Sequence, residues 1–201
     1  MTGRVSIPLF ALNTVLFPEG LLPLRVFEPR YVTMVSQCLR GDSGFGVVTI
    51  ERGHEVGEAA ACHAVGTYAR IVDFDRADNG LLTIVARGER RFRVIDTEVQ
   101  PDRLLTGRVH WLDEPPREAL PQEQRPLLRL VDQLIAQAGA PFTTLERRED
   151  IAWVVGRLVE LLPFAPADKQ RVLACDDNRE RLRIVHDELL ADVINSSRAG
   201  A

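Results

Sequence analysis

The chain has 201 residues, a net charge of −4, three cysteines and no apolar run approaching the length of a membrane span. That length supports one large domain or two small ones, either with a core sufficient to fold without staples. An odd cysteine count without Cys-x-x-Cys, and no N-terminal apolar stretch, point to a reducing cytoplasmic location, and the acidic balance gives no overall electrostatic reason for a polyanion partner.

The first half carries short β patterns at 7–12, 22–27, 46–50, 64–74, 81–87, 91–99 and 105–111. Leu22, Leu24 and Val26 alternate with Pro23, Arg25 and Phe27, and Pro23 has no amide hydrogen for a ladder, so 22–27 reads as an edge strand or one begun by Pro23. Pro29 suits a first helical turn, and Glu28 before it brings a carboxylate to the positive end of a helix. A helix therefore begins at about Pro29, with Tyr31, Val35, Cys38 and Leu39 as its apolar stripe and Gly41 as its stop. Asp78-Asn79-Gly80, between Ile71-Val72 and Leu82-Ile84, signals a two-residue hairpin that pairs the flanking strands antiparallel. Gly88-Glu89 reads as a second tight connection, followed by Phe92 and Val94 on one face and Arg91, Arg93 and Ile95 on the other. Six or seven such strands with one helix predict a twisted, partly closed barrel.

Composition changes at Asp113-Glu114-Pro115-Pro116, where β-branched residues give way to leucine, glutamine and arginine. The expected domains are 1–114, a β unit, and 115–195, a helical one, for an α+β fold class. Leu127, Leu128, Val131, Leu134 and Ile135 form a helical stripe ended by Gly139 and Pro141. A second helix is expected to open at Thr143, in a capping box with Glu146, and to run through Ile151, Val154, Val155, Leu158, Leu161 and Leu162. Positions 168–175 read as a short helix and 178–194 as a longer one, with Leu182, Val185, Leu189 and Val193 inward and 196–201 frayed.

Chemistry-bearing motifs are few. Gly41-Asp42-Ser43-Gly44 invites comparison with a protease nucleophile, yet His54, His63, His110 and His186 all follow Ser43, and a helix-ending turn explains the glycines. Gly44-Phe45-Gly46 precedes a strand and lacks the third glycine of a dinucleotide loop, and a phosphate loop needs Gly-Lys-Ser/Thr where the sole lysine, Lys169, sits between Asp168 and Gln170. His54, Cys62 and His63 fall short of the four ligands of structural zinc. Asp73, Asp75 and Asn79 echo a calcium loop, but Ala77 occupies a liganding place and the hairpin accounts for Asn79-Gly80. Cys38 reads as a buried inert thiol. Arg87, Arg90, Arg91 and Arg93 read as a solvated face rather than a phosphate site. No catalytic set, metal or cofactor is expected.

Leu16-Phe17-Pro18 with Pro23-Leu24-Arg25-Val26-Phe27-Glu28-Pro29-Arg30-Tyr31, then Phe45-Gly46-Val47-Val48, Val65-Gly66-Thr67 with Ala69, and Arg87-Gly88 with Arg91-Phe92, together resemble the N-terminal substrate-recognition domain of bacterial-type Lon proteases. Asp168-Lys169-Gln170 with Leu173, Asp177 and Arg181-Leu182 is similar to the helical segment after that domain, so the resemblance covers about residues 5 to 190. It implies a PUA-like β pseudo-barrel followed by an α-helical bundle, and a partner that is an unfolded or exposed polypeptide segment, with a protease or chaperone as a further candidate. Lon continues into an ATPase module and a Ser-Lys protease domain that these 201 residues do not carry. The expectation is therefore a stand-alone, non-catalytic recognition or adaptor module. The alternative from another class is an RNA-binding module, because PUA-like barrels elsewhere bind RNA. Phe27, Glu28, Arg30 and Tyr31 are the candidate binding residues. Among them Glu28, Arg30 and Tyr31 are expected to fix the strand-to-helix corner, while exposed apolar side chains beside it meet polypeptide. Arg30 places a cation where the helix dipole disfavours one, so it needs a carboxylate or backbone carbonyls, and Glu28 is one candidate.

Overall fold

The computed structural model of the chain describes residues 5–53, 61–76 and 81–199, with side chains as far as Leu190. The Asp78-Asn79-Gly80 turn, His54, Ala77 and the inward position of Val193 lie outside that description, and the tail expected to fray over 196–201 is instead helical as far as Ala199. Two compact units emerge, residues 1–114 and 115–201.

In the first unit the order is β1 (Val5–Leu12), β2 (Leu21–Val26), α1 (Pro29–Arg40), β3 (Phe45–Arg52), β4 (Ala61–Cys62), β5 (Val65–Arg76), β6 (Leu82–Val99) and β7 (Leu105–Trp111). Antiparallel ladders join β1 to β7, β7 to β6, β6 to β5 and β5 to β3, and a parallel β1–β3 ladder returns the path to its start. Closure explains why β1 reads as an apolar run rather than an alternation, since both of its faces are covered. Ile7, Leu9 and Ala11 pack with Val48, Phe92, Leu105 and Val109, while Phe10 and Leu12 pack with Tyr31, Met34, Val35 and Cys38 of α1. Gly46 serves this packing: a Cβ there would lie 2.6 Å from the Phe92 ring. The stripe of α1 differs from expectation at one place, because Met34 is fully buried and Leu39 is 39% exposed.

The Gly88-Glu89 signal is not a turn. β6 runs unbroken for 18 residues, and the pairing steps from Tyr68–Arg90 to Ala69–Gly88, which leaves Glu89 as a β-bulge. An interior glycine marks a bulge or a close backbone approach as well as a turn, and a Cβ on Gly88 would meet the Phe17 carbonyl oxygen at 2.3 Å. Further register shifts at Ile71/Asp73 and Val94/Asp96 turn out Val72 and Ile95, which are 53% and 45% exposed. The solvated arginine face also needs correction. Arg90 and Arg93 are exposed, but Arg91 is fully buried, with its amide and Nε donating to the Glu114 carboxylate at 2.8 and 3.1 Å.

The second unit holds α2 (Pro126–Ala138), α3 (Ile151–Leu161), α4 (Pro166–Ala174) and α5 (Asn178–Ala199). Helix α3 is apolar nearly all round and packs on α2, α4 and α5, as a helix without a polar face must. It starts at Asp150, whose Oδ1 accepts the Trp153 amide at 3.0 Å, and not at Thr143. An isolated Ala119–Asp150 bridge and the Ile151 amide bonded to the Glu118 carbonyl hold the preceding chain extended, which overrides the local capping box. Within α3, buried Arg157 is paired with Glu160 at 2.6 Å. Among the described residues no helix is long and apolar enough to cross a membrane.

Candidate functional site

The corner between β2 and α1 is built in the order of its residues. Val26 ends the strand in the core, 2% exposed. Alternation turns Phe27 outward, and it is 64% exposed. Glu28 keeps an extended backbone, φ −72° and ψ 132°, and Pro29 starts the helix. The Glu28 carbonyl then accepts the Tyr31 and Val32 amides, both at 3.0 Å.

Arg30 finds the partners that its position in the first turn requires. Its Nη2 lies 2.9 Å from Glu28 Oε2, and its Nη1 donates to the Arg103 carbonyl at 3.0 Å. That carbonyl is offered from the turn between β6 and β7, where Arg103 has φ of 68°. The guanidinium also sits 4.7 Å from the centroid of the Tyr31 ring, and that ring stacks on Phe10 at 3.9 Å. Burial pushes the Tyr31 hydroxyl above the ordinary tyrosine range, against the opposing pull of Arg30. Arg30 therefore joins Glu28 through an ion pair and Tyr31 through its ring, with Arg30 and Tyr31 buried, whereas Phe27 faces out.

Two grooves flank β2. One of about 350 Å³ is lined by Phe10, Leu12, Val26, Phe27 and Tyr31 among others. The other, about 370 Å³, lies over β2, β6 and β5 and is lined in part by Pro23, Val85 and Phe74. Phe74, paired with Ile84 in the ladder, is 58% exposed. The ladder settles which edge of β2 is open. Gly88 donates to the Gly20 carbonyl at 3.0 Å, and stepping by two places Leu22, Leu24 and Val26 with their backbone groups towards β6. Leu21, Pro23 and Arg25 then point their backbone groups away from it, and among the described residues β2 pairs with β6 alone. Pro23 thus sits where its missing amide hydrogen costs no ladder bond, and with Arg25 it discourages pairing with a stray strand. The edge-strand reading of 22–27 agrees with this topology.

The other sequence candidates are placed without chemistry. Ser43 closes the end of α1, its amide donating to the Cys38 carbonyl at 3.0 Å. Burial raises the Cys38 thiol, and pushes Cys62 from 9.0 up to about 11, so neither is an activated nucleophile. Among the described residues no three His, Cys, Asp or Glu side chains are grouped to hold a metal. Sequence reasoning missed Arg103, which offers only a carbonyl and so carries no side-chain signal. It also missed the exposure of Phe74, because period-2 alternation aims that position towards Leu24 and Ile84, the core side.

Comparison with known proteins adds a family. The profile described as the ATP-dependent protease La (LON) substrate-binding domain matches residues 6–191. Lon protease 2 of Myxococcus xanthus is 30% identical over 181 residues, 86% of this chain and 22% of that protein, and a Lon protease of Anaeromyxobacter dehalogenans is 29% identical over a similar span. The chain thus spans about a fifth of the length of these curated relatives. A crystal structure of a Lon N-terminal domain protein from Xanthomonas campestris is 35% identical with a TM-score of 0.73, over 93% of this chain and 98% of that one. The N-terminal domain of Mycobacterium avium complex Lon protease, at 20% identity and a TM-score of 0.58 over 91% and 97%, shares the fold.

Proposed function

The chain belongs to the family of the LON substrate-binding domain, and from that premise we propose that it is a non-catalytic polypeptide-recognition module that binds unfolded or exposed segments beside the β2–α1 corner. The observation that carries this reading is Phe27, 64% exposed next to a groove of about 350 Å³ and held out by a corner whose Arg30 and Tyr31 are buried. An exposed aromatic at the rim of a pre-formed apolar groove is the kind of residue that dominates a binding interface. The closed path of strands supports the PUA-like reading of the first unit, and the packing of α3 on its three neighbours supports a helical bundle in the second. Service as an adaptor to a protease or chaperone belongs to the same proposal.

Binding of fluorescein-labelled unfolded β-casein, followed by anisotropy, tests it. Phe27→Ser is expected to weaken binding about tenfold with the melting temperature unchanged, since an exposed side chain contributes little to the fold. Equal binding by the variant refutes the placement. Addition of a single-stranded RNA tests the nucleic-acid alternative, which requires competition that fades steeply with salt.

A further inference from the structure

The groove over β2, β6 and β5 carries charges arranged by the ladder, and a role for them rests on the chain being a polypeptide-binding module. Register puts Pro23, Val85 and Asp73 in one row and Arg25, Thr83 and Asp75 in the next. Residues in register share a face of the sheet, so these six side chains stand together. Their neighbours Leu24, Ile84 and Val26 turn to the other side and pack in the core. Pro23 and Val85 supply an apolar floor, Asp73 and Asp75 form the β5 wall, and Arg25 forms the β2 wall. Two strand spacings separate those walls, roughly 10 Å. All three charged side chains are exposed. The Asp75 carboxylate accepts the amide of Arg76 at 2.8 Å, and among the described residues neither aspartate forms an ion pair with an arginine and Arg25 meets no carboxylate.

We propose that this groove selects extended segments in which an apolar side chain is flanked by lysine or arginine. The apolar side chain covers Pro23 and Val85, and the flanking cation lies against Asp73 and Asp75. Side chains on one face of an extended strand recur every two residues, the same interval that separates the two aspartates. Arg25 repels a cation from the β2 wall and so directs it across the groove. Within these two rows an acidic segment meets two carboxylates against one guanidinium and is disfavoured, while Arg87 stands in the next row of the same face.

Labelled Gly-Ser peptides carrying one leucine flanked by lysine, by serine or by glutamate, titrated with the full chain, test the selection. The lysine peptide is expected to bind about three- to tenfold tighter than the glutamate peptide at low salt, as exposed ion pairs allow. That gap should close in concentrated salt, and a D73N/D75N double variant should bring the two peptides within about twofold of each other, with melting unchanged because both side chains are exposed. Equal binding of all three peptides by the unaltered chain, or a gap that survives in the double variant, overturns the charge selection while the polypeptide reading stands. Failure to bind any of the three peptides, or casein, overturns both. A second copy seated in the groove, seen as sedimentation of a dimer that excludes the peptides, also overturns it.

Discussion

Replacing Arg30 by alanine separates the anchoring role of the corner from its binding role. Arg30 is 7% exposed and its partner Glu28 17%, so Arg30→Ala leaves the Glu28 carboxylate and the Arg103 carbonyl without their donor. Each unsatisfied buried group costs about 1–3 kcal/mol, and a broken buried ion pair about 3–5 kcal/mol. Glu28 still reaches some water, which places the loss at about 2–4 kcal/mol. For a unit of this size that lowers the melting temperature by roughly 8–16 °C. Arg30→Lys keeps the charge but not the fork that serves carboxylate and carbonyl together, and should recover only part of the loss. The assay is thermal unfolding by circular dichroism, paired with casein binding measured well below the transition, where binding is expected to persist. An Arg30→Ala protein with unchanged melting and abolished casein binding would show that the corner is itself the recognition surface.

Three further outcomes are expected. Phe92→Ala, at a fully buried ring, should destabilise the chain by about 3–5 kcal/mol in urea; a loss under about 1 kcal/mol contradicts the packing of Phe92 against Gly46. Trypsin should nick the intact chain first at Arg117, in the proline-rich stretch between the two units; equal protection of 113–122 would instead mean that this stretch is tightly docked. Tyr31 and Cys62 are acids whose folded pKa values lie above their unfolded ones. Below the unfolded values both states hold the proton and nothing is gained. As pH climbs from 9 past 11 the unfolded chain ionises first, so stability falls through that window. A urea midpoint that rises between pH 9 and pH 11 would contradict the burial of both groups.

What could be read without coordinates was whatever local chemistry decides. Pro29 and the i, i+4, i+7 spacing of Tyr31, Val35 and Cys38 set α1, and alternation at Leu22, Leu24 and Val26 set β2. The errors arose where distant chain overrode local preference. Gly88-Glu89 has the composition of a turn, but β5 pairs across it on both sides and converts it into a bulge. Thr143 and Glu146 have the spacing of a capping box, but the Ala119–Asp150 bridge delays α3. Arg91 sits among arginines that face solvent, and it is the returning chain more than 20 residues away, with the Glu114 carboxylate and the Asp113 carbonyl, that gives it partners. At the corner, Glu28 as a partner of Arg30 follows from the dipole argument, whereas the Arg103 carbonyl depends on a backbone conformation with no signature in residue type.

Amide hydrogen exchange of the intact chain, with and without saturating unfolded β-casein, tests the central claim most directly. Casein is expected to slow exchange at β2 and the β2–α1 corner, residues 21–28, and on the exposed end of β5 at 72–76, with α2 to α5 unchanged. Protection confined to the helices of the second unit, with 21–28 exchanging as in the free chain, would contradict it.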